Sequence, residues 1–157
     1  MYKILLIEDD PLTARFYERA FKLNNYAIEV ALDGQEAIAK LAMMEERPTL
    51  ILLDLMMPKL SGFDVLRHVK SKDELRDIPV IVLTNLAKQE YADKAIELGA
   101  VTYLVKGQYS AKEVVAKVVE LMQAHAPESP AELPPTGIPV RDLPGNEVGG
   151  AKDELRL

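Results

Sequence analysis

The sequence predicts an α/β protein built on a doubly wound sheet of five parallel strands with five helices. Three observations predict it. Short apolar runs recur without polar alternation, as strands buried on both faces require. Between them lie stretches with apolar residues at helical spacing. The two signals alternate from Lys3 to Met122, which selects a parallel sheet over a sandwich or a bundle.

The elements follow in order. Lys3 to Ile7 reads as the first strand and stops at Glu8-Asp9-Asp10. Pro11 suits the first turn of a helix, and the acids before it can cap free N–H groups and complement the helix dipole. Leu12, Phe16, Ala20 and Leu23 fall on one face of that helix and are the predicted buried stripe; Asn24-Asn25 ends it. Ala27 to Ala31 is a short strand with Ile28 and Val30 on one side. Asp33-Gly34 turns into a second helix with Ala37, Ile38, Leu41, Ala42 and Met44 as its apolar stripe, and Pro48 breaks the chain.

The central strand is Leu50-Ile51-Leu52-Leu53, an unbroken apolar run ending on Asp54. After a loop over Pro58 to Ser61, Ser61 and Asp64 have capping-box spacing for a third helix carrying Phe63, Leu66 and Val69. Asp77-Ile78-Pro79 closes that unit. Val80 to Leu83 is the fourth strand and runs into Thr84 and Asn85. A helix over Gln89 to Leu98 follows, with Gly99 placed for a left-handed cap. Val101 to Val105 is the fifth strand and ends on Lys106; Ser110 and Glu113 open a last helix with Val114, Val115, Val118, Leu121 and Met122 on its buried side.

Composition narrows the function classes. The chain is 157 residues long with a formal net charge of −6, and neither half holds a Lys/Arg block able to follow a phosphate backbone, so direct nucleic-acid binding is not expected. There is no cysteine, hence no disulfide, thiolate metal site or thiol nucleophile. The start reaches three acids after four apolar residues, too charged for a signal peptide, and no run approaches a membrane span, so the chain reads as cytoplasmic. From Pro127 to Leu157 the periodicity vanishes: six of the ten prolines and four of the eight glycines fall there. Residues 1–125 therefore form the expected domain and 126–157 a disordered tail, a tether, a docking segment for a proline-reading partner, or inert.

Four strands end on functional groups at one sheet edge: Glu8, Asp9 and Asp10, then Asp54, Thr84 and Lys106. In open α/β sheets that edge forms the ligand crevice. Carboxylates gathered there repel one another unless a proton or cation intervenes, and an all-oxygen set suits a hard cation such as Mg²⁺. Carboxylate, cation, ammonium and hydroxyl together suit the formation of an acyl phosphate on Asp54. Taken singly, each has a plainer use: an acid as helix cap, Thr84 as a strand-end hydroxyl, Lys106 as a solvated cation. Their conjunction is far more specific.

These residues closely resemble the receiver domain of two-component response regulators, over Met1 to His125. The resemblance implies a flavodoxin-like sheet of order 2-1-3-4-5, with Asp54 as phosphoacceptor. It implies an Mg²⁺ site made by Asp9 directly, Glu8 mainly through water, Asp54, and the backbone carbonyl of Met56. Thr84 and Lys106 would contact the phosphoryl group, Thr84 and Tyr103 would form the switch, and Pro58 and Gly62 match the loop after the aspartate. Met56 and Leu86 hold the positions that tune phosphoryl lifetime; neither side chain can orient an attacking water, so slow self-dephosphorylation is expected. Two residues depart from the pattern. Gly107 stands where the family usually has a cis proline that aims the lysine, and Asn85 stands where a smaller residue is common.

The expected function is a stand-alone response regulator, not an enzyme beyond its own phosphoryl uptake and slow loss. It would take the group from a histidine kinase or phosphotransfer protein and signal to a protein target through residues 89–122, without contacting nucleic acid or membrane. A phosphorylation-independent scaffold is the alternative that Asn85 and Gly107 would favour. An aspartyl-phosphate phosphatase of the haloacid-dehalogenase type would need an acid where Met56 stands.

Overall fold

A computed structural model of the chain describes residues 2–125; the predicted tail at 126–157 lies outside the described residues. The elements run β1 (Lys3–Ile7), α1 (Pro11–Leu23), β2 (Ala27–Ala31), α2 (Gly34–Met43), β3 (Leu50–Leu53), α3 (Gly62–Ser71), β4 (Val80–Thr84), α4 (Gln89–Glu97), β5 (Thr102–Val105) and α5 (Ala111–Ala124). All five strands are parallel, in the order β2-β1-β3-β4-β5. The expected architecture is thus the observed one, with boundaries within a residue or so of those read from the sequence.

The sheet separates two apolar layers, which is why its central strands carry no polar alternation. Leu5, Ile7, Ile51, Leu53, Val80, Val82, Tyr103 and Val105 face α2, α3 and α4. Ile4, Leu6, Leu50, Leu52, Ile81, Leu83 and Leu104 face α1 and α5. The helices start where their caps lie. Both predicted capping boxes form, Ser61 with Asp64 on α3 and Ser110 with Glu113 on α5. At the other ends, Asn25 (φ 67°) and Gly99 (φ 113°) adopt the left-handed conformation. The amides of Tyr26 and Ala100 donate to Phe21 and Ala95, each at 3.0 Å, closing α1 and α4 in the Schellman manner.

The structure departs from expectation at Ala42 of α2, which is exposed, and above all on α1. Three of the four residues of the predicted buried stripe of α1 face solvent, Leu12 at 76% exposed, Phe16 at 56% and Leu23 at 76%, while Ala20 is half-buried against the core. The helix buries Ala14, Tyr17 and Phe21 instead, on its opposite side. Both faces of α1 carry apolar residues at helical spacing, and periodicity alone ranks the one with more aliphatic carbon. Tyr17 is discounted for its hydroxyl, yet a tyrosine buries most of its ring. Leu121 of α5 is likewise only partly buried, while Val114, Val115, Val118 and Met122 are buried as expected.

Candidate functional site

The strand order reverses around β1 and β3, and the crevice outside their carboxyl ends is where a doubly wound sheet places ligands. The ladder continues past the strands into this crevice and fixes its backbone. Glu8 donates to the Ala31 carbonyl at 3.0 Å, Asp54 to Ile7 at 3.0 Å, and Lys106 to Thr84 at 2.7 Å. Glu8 and Asp54 are therefore side by side on adjacent strands, and Thr84 and Lys106 are joined on the next pair.

The three successive acids divide their roles. Asp10 is the N-cap of α1 and accepts the Thr13 amide at 3.0 Å. Glu8 and Asp9 turn to the crevice, where they and Asp54 each offer one oxygen, all within 4.8 Å of one another. Glu8 and Asp54 are only 2% and 6% exposed. Glu8 uses one oxygen to accept the Asp10 amide at 3.1 Å and the other to accept the Lys106 ammonium at 2.6 Å. The ammonium also reaches Asp54 Oδ2 at 3.4 Å. Burial raises the pKa of Glu8, and the like charge of Asp54 adds to the rise against the opposing Lys106 bond. Burial alone would lower the pKa of Lys106, but its bond to Glu8 and the charge of Asp54 leave it raised. One ammonium, paired with Glu8 and Asp54, set against three carboxylates leaves surplus negative charge. A dense, hard oxygen set with surplus charge fits a small divalent cation such as Mg²⁺.

Lys106 attains this position without a proline after it. All described peptide bonds are trans, and Val105 to Gln108 form a turn closed by the Gln108 amide on the Val105 carbonyl at 3.0 Å. Gly107 occupies the third place of that turn at φ 82°, a conformation that glycine adopts freely. With glycine in place of a proline after Lys106, the ammonium still meets Glu8 and Asp54. Asn85 is exposed.

Thr84, fully buried, accepts the Leu86 amide on its hydroxyl oxygen at 3.4 Å. The Leu86 carbonyl in turn accepts the Tyr103 hydroxyl at 2.7 Å. Tyr103 is 1% exposed, so its ring is already packed inward, and burial pushes its phenol well above the ordinary range. Leu86, singled out for its side chain, matters here through its backbone, which joins the two predicted switch residues. Met56 is exposed, and its amide donates to Asp54 Oδ1 at 3.3 Å. Gly62 presses the start of α3 onto the segment after β3: its amide donates to Leu55 at 3.0 Å. A Cβ at Gly62 would lie 2.2 Å from the Asp54 carbonyl oxygen and 2.6 Å from Leu55 Cα. Only glycine permits this approach, which sets the backbone that carries Asp54.

Fold and site together define a doubly wound α/β module with a buried, cation-competent acidic crevice at its carboxyl edge. The family model for the response regulator receiver domain matches residues 4–120, and the chain belongs to that family. Receiver domains are signalling modules of two-component systems, generally without enzymatic function, that bind Mg²⁺ at an acidic pocket and interact with histidine kinases or phosphotransfer proteins. The chain is 36% identical over 118 residues to a gliding motility regulatory protein of Myxococcus xanthus, covering 75% of this chain and 15% of that one. It is 33% identical over 130 residues to response regulator MprA of Mycobacterium avium, covering 83% and 55%. The chain therefore spans little more than half of the one and a small part of the other. Among solved structures, the Mn(2+)-bound form of response regulator Rcp1 is 30% identical with a TM-score of 0.66, covering 86% of this chain and 100% of that one. No described helix is long and apolar enough to cross a membrane.

Proposed function

We propose that this receiver accepts a phosphoryl group on Asp54 from the phosphohistidine of a histidine kinase or phosphotransfer protein. The observation that carries the reading is the Lys106 ammonium lying between Glu8 and Asp54 in a crevice of three carboxylates. A carboxylate oxygen of Asp54 attacks phosphorus, the P–N bond of the donor breaks, and the imidazole leaves with that electron pair; an acyl phosphate results. Lys106 exchanges part of its contact with the carboxylates for the incoming phosphoryl oxygens, and Thr84 donates its hydroxyl proton to another. Asp9, Asp54, the Met56 carbonyl and Glu8 would hold Mg²⁺, a reading supported by the divalent cation in the Rcp1 structure. When bound, the cation supplies positive charge for the transferring oxygens.

Movement of Thr84 toward a phosphoryl oxygen draws on its bond to Leu86, and through Leu86 on Tyr103. The change is thereby passed to α4, β5 and α5, the surface proposed to meet a protein target. The acidic chain, at net charge −6, favours a protein over a nucleic acid as that target. Met56 and Leu86 offer no polar side chain to orient water, so the acyl phosphate is long-lived.

The test is an intact-mass spectrum after incubation with Mg²⁺ and acetyl phosphate, with Asp54→Asn alongside. One phosphoryl adduct in the parent and none in the variant is expected; an adduct that survives the substitution overturns the assignment. A phosphoryl half-life of seconds with Mg²⁺ present would overturn the lifetime reading.

A further inference from the structure

The solvent-facing stripe of α1 is not scattered apolar exposure. At 100° per residue, Leu12, Phe16, Arg19 and Leu23 lie within a narrow band along the helix. Three of the described molecule's six exposed large hydrophobic residues are on that band. Leu12 is beside the crevice edge and Leu23 is at the opposite end. The band has cationic flanks: Lys22 pairs with Glu18 at 3.0 Å, whereas exposed Arg15 and Arg19 have no ion-pair partner among the described residues.

The end of α5 lies at the same side of the sheet as the Leu23 end of this band. α1 and α5 pack together on one face of the sheet, sharing a core that includes Phe21 and Met122. Both helices start at the strands' carboxyl edge, so both end at the same side of the sheet. The chain leaves α5 at Ala124, near the Leu23 end of the stripe. The residues that follow contain Leu133, Pro134, Pro135, Ile138, Pro139 and Val140, preceded by Glu128 and Glu132, with no Lys or Arg from Pro127 to Val140.

We propose that the segment 128–140 of the same molecule covers the α1 stripe, its leucine, isoleucine and prolines on Leu12, Phe16 and Leu23 and its two glutamates beside Arg15 and Arg19. The lengths agree. The stripe runs about 16 Å, at 1.5 Å per helical residue, and about six residues of extended proline-rich chain at 3.1 Å each match it. From Ala124 to Glu128 the chain reaches about 13 Å fully extended, against the 8–10 Å that separates axes of packed helices. Proline-rich chain suits the task because it loses little entropy on docking against an aromatic surface, here Phe16. The proposal does not depend on the phosphoacceptor reading, and its test reads no phosphorylation.

The chain has no cysteine, so a nitroxide attached at Thr136→Cys labels one site in the full-length protein. Amide signals from ¹⁵N-labelled chain report which residues it approaches. Strong attenuation along Leu12 to Leu23, reversed on reducing the nitroxide and lost in Leu133→Glu/Ile138→Glu, is expected. Attenuation that is absent, spread evenly over the surface, or unaffected by that double substitution overturns the proposal. A mixture of ¹⁵N chain with spin-labelled ¹⁴N chain separates the sources. Attenuation found only between different molecules makes a second copy the occupant and likewise overturns it.

Discussion

Replacing Asp54 by asparagine should make the cation-free protein more stable, because the crevice holds more negative charge than Lys106 offsets. The site oxygens of Glu8, Asp9 and Asp54 lie within 4.8 Å of one another. At that separation and an effective dielectric constant near 20, each carboxylate pair repels by roughly 3.5 kcal/mol, so Asp54 meets about 7 kcal/mol from its two neighbours. Its attraction to Lys106 at 3.4 Å is about 5 kcal/mol on the same scale. The difference leaves Asp54 opposed by ~2 kcal/mol, and spreading of charge over both oxygens with solvent at Asp9 reduces this to about 1–2 kcal/mol. Asparagine keeps one oxygen, which accepts from either the Met56 amide or Lys106, while removing the charge. Urea unfolding at neutral pH with a chelator should show the variant more stable by that amount, about 4–8 °C in thermal midpoint. Mg²⁺ should then narrow the gap. At ten times its dissociation constant it adds ~1.4 kcal/mol to the parent and less to the variant, which has lost an anionic ligand. A variant less stable than the parent under chelator, or an equal gain from Mg²⁺ in both, would mean that the crevice carries no surplus repulsion at Asp54.

Three further outcomes follow from particular contacts. Phe21→Ala should cost about 3–5 kcal/mol in urea unfolding, since Phe21 is fully buried, whereas Phe16→Ala should cost about 1 kcal/mol at most, the contact proposed with segment 128–140 included; equal costs would mean the two faces of α1 are assigned the wrong way round. Gly62→Ala places a methyl against the backbone of Asp54 and Leu55, so it should cost about 1–3 kcal/mol or more and slow phosphoryl uptake from acetyl phosphate; an unchanged unfolding midpoint would contradict the close approach. Tyr103→Phe removes the bond to the Leu86 carbonyl, a loss of ~1 kcal/mol. Tyr103 also sets an alkaline dependence. Its phenol is raised in the folded protein above the ordinary value of 10.0, so below that pH both states keep the proton. Above it the unfolded chain releases the proton that the folded state retains, and stability falls as pH rises. The Phe variant should show a shallower fall, and tyrosinate absorbance should show Tyr17 and Tyr103, both raised by burial, ionising later than the other four of the six tyrosines.

The site was legible in the sequence to the extent that its chemistry lies in side chains at strand ends. Glu8, Asp9, Asp54, Thr84 and Lys106 each follow an apolar run, and parallel strands bring such ends together whatever the detail of packing. Which of the three acids caps α1 was not legible, because Asp9 and Asp10 are equally suited by type. The structure decides it by where the turn after β1 points each carboxylate. Leu86 acts through backbone atoms, which leave no signature in the residue name, and Gly62 through a close approach to Asp54 and Leu55 that only the folded chain shows.

The alternation of elements, their caps and the edge at which the polar groups collect can be read from the chain, since these depend on local periodicity and on residues a few positions apart. Which side of α1 meets the sheet, how Gly107 turns the chain so that Lys106 reaches Glu8 and Asp54, and how Leu86 links Thr84 to Tyr103 emerge only on folding. Each depends on groups distant in the chain competing for the same space or the same hydrogen bond. α1 shows the reason most plainly. Two apolar faces satisfy the helix equally well, and the choice rests on whether Phe21 or Phe16 fits the surface formed by β1, β3 and α5.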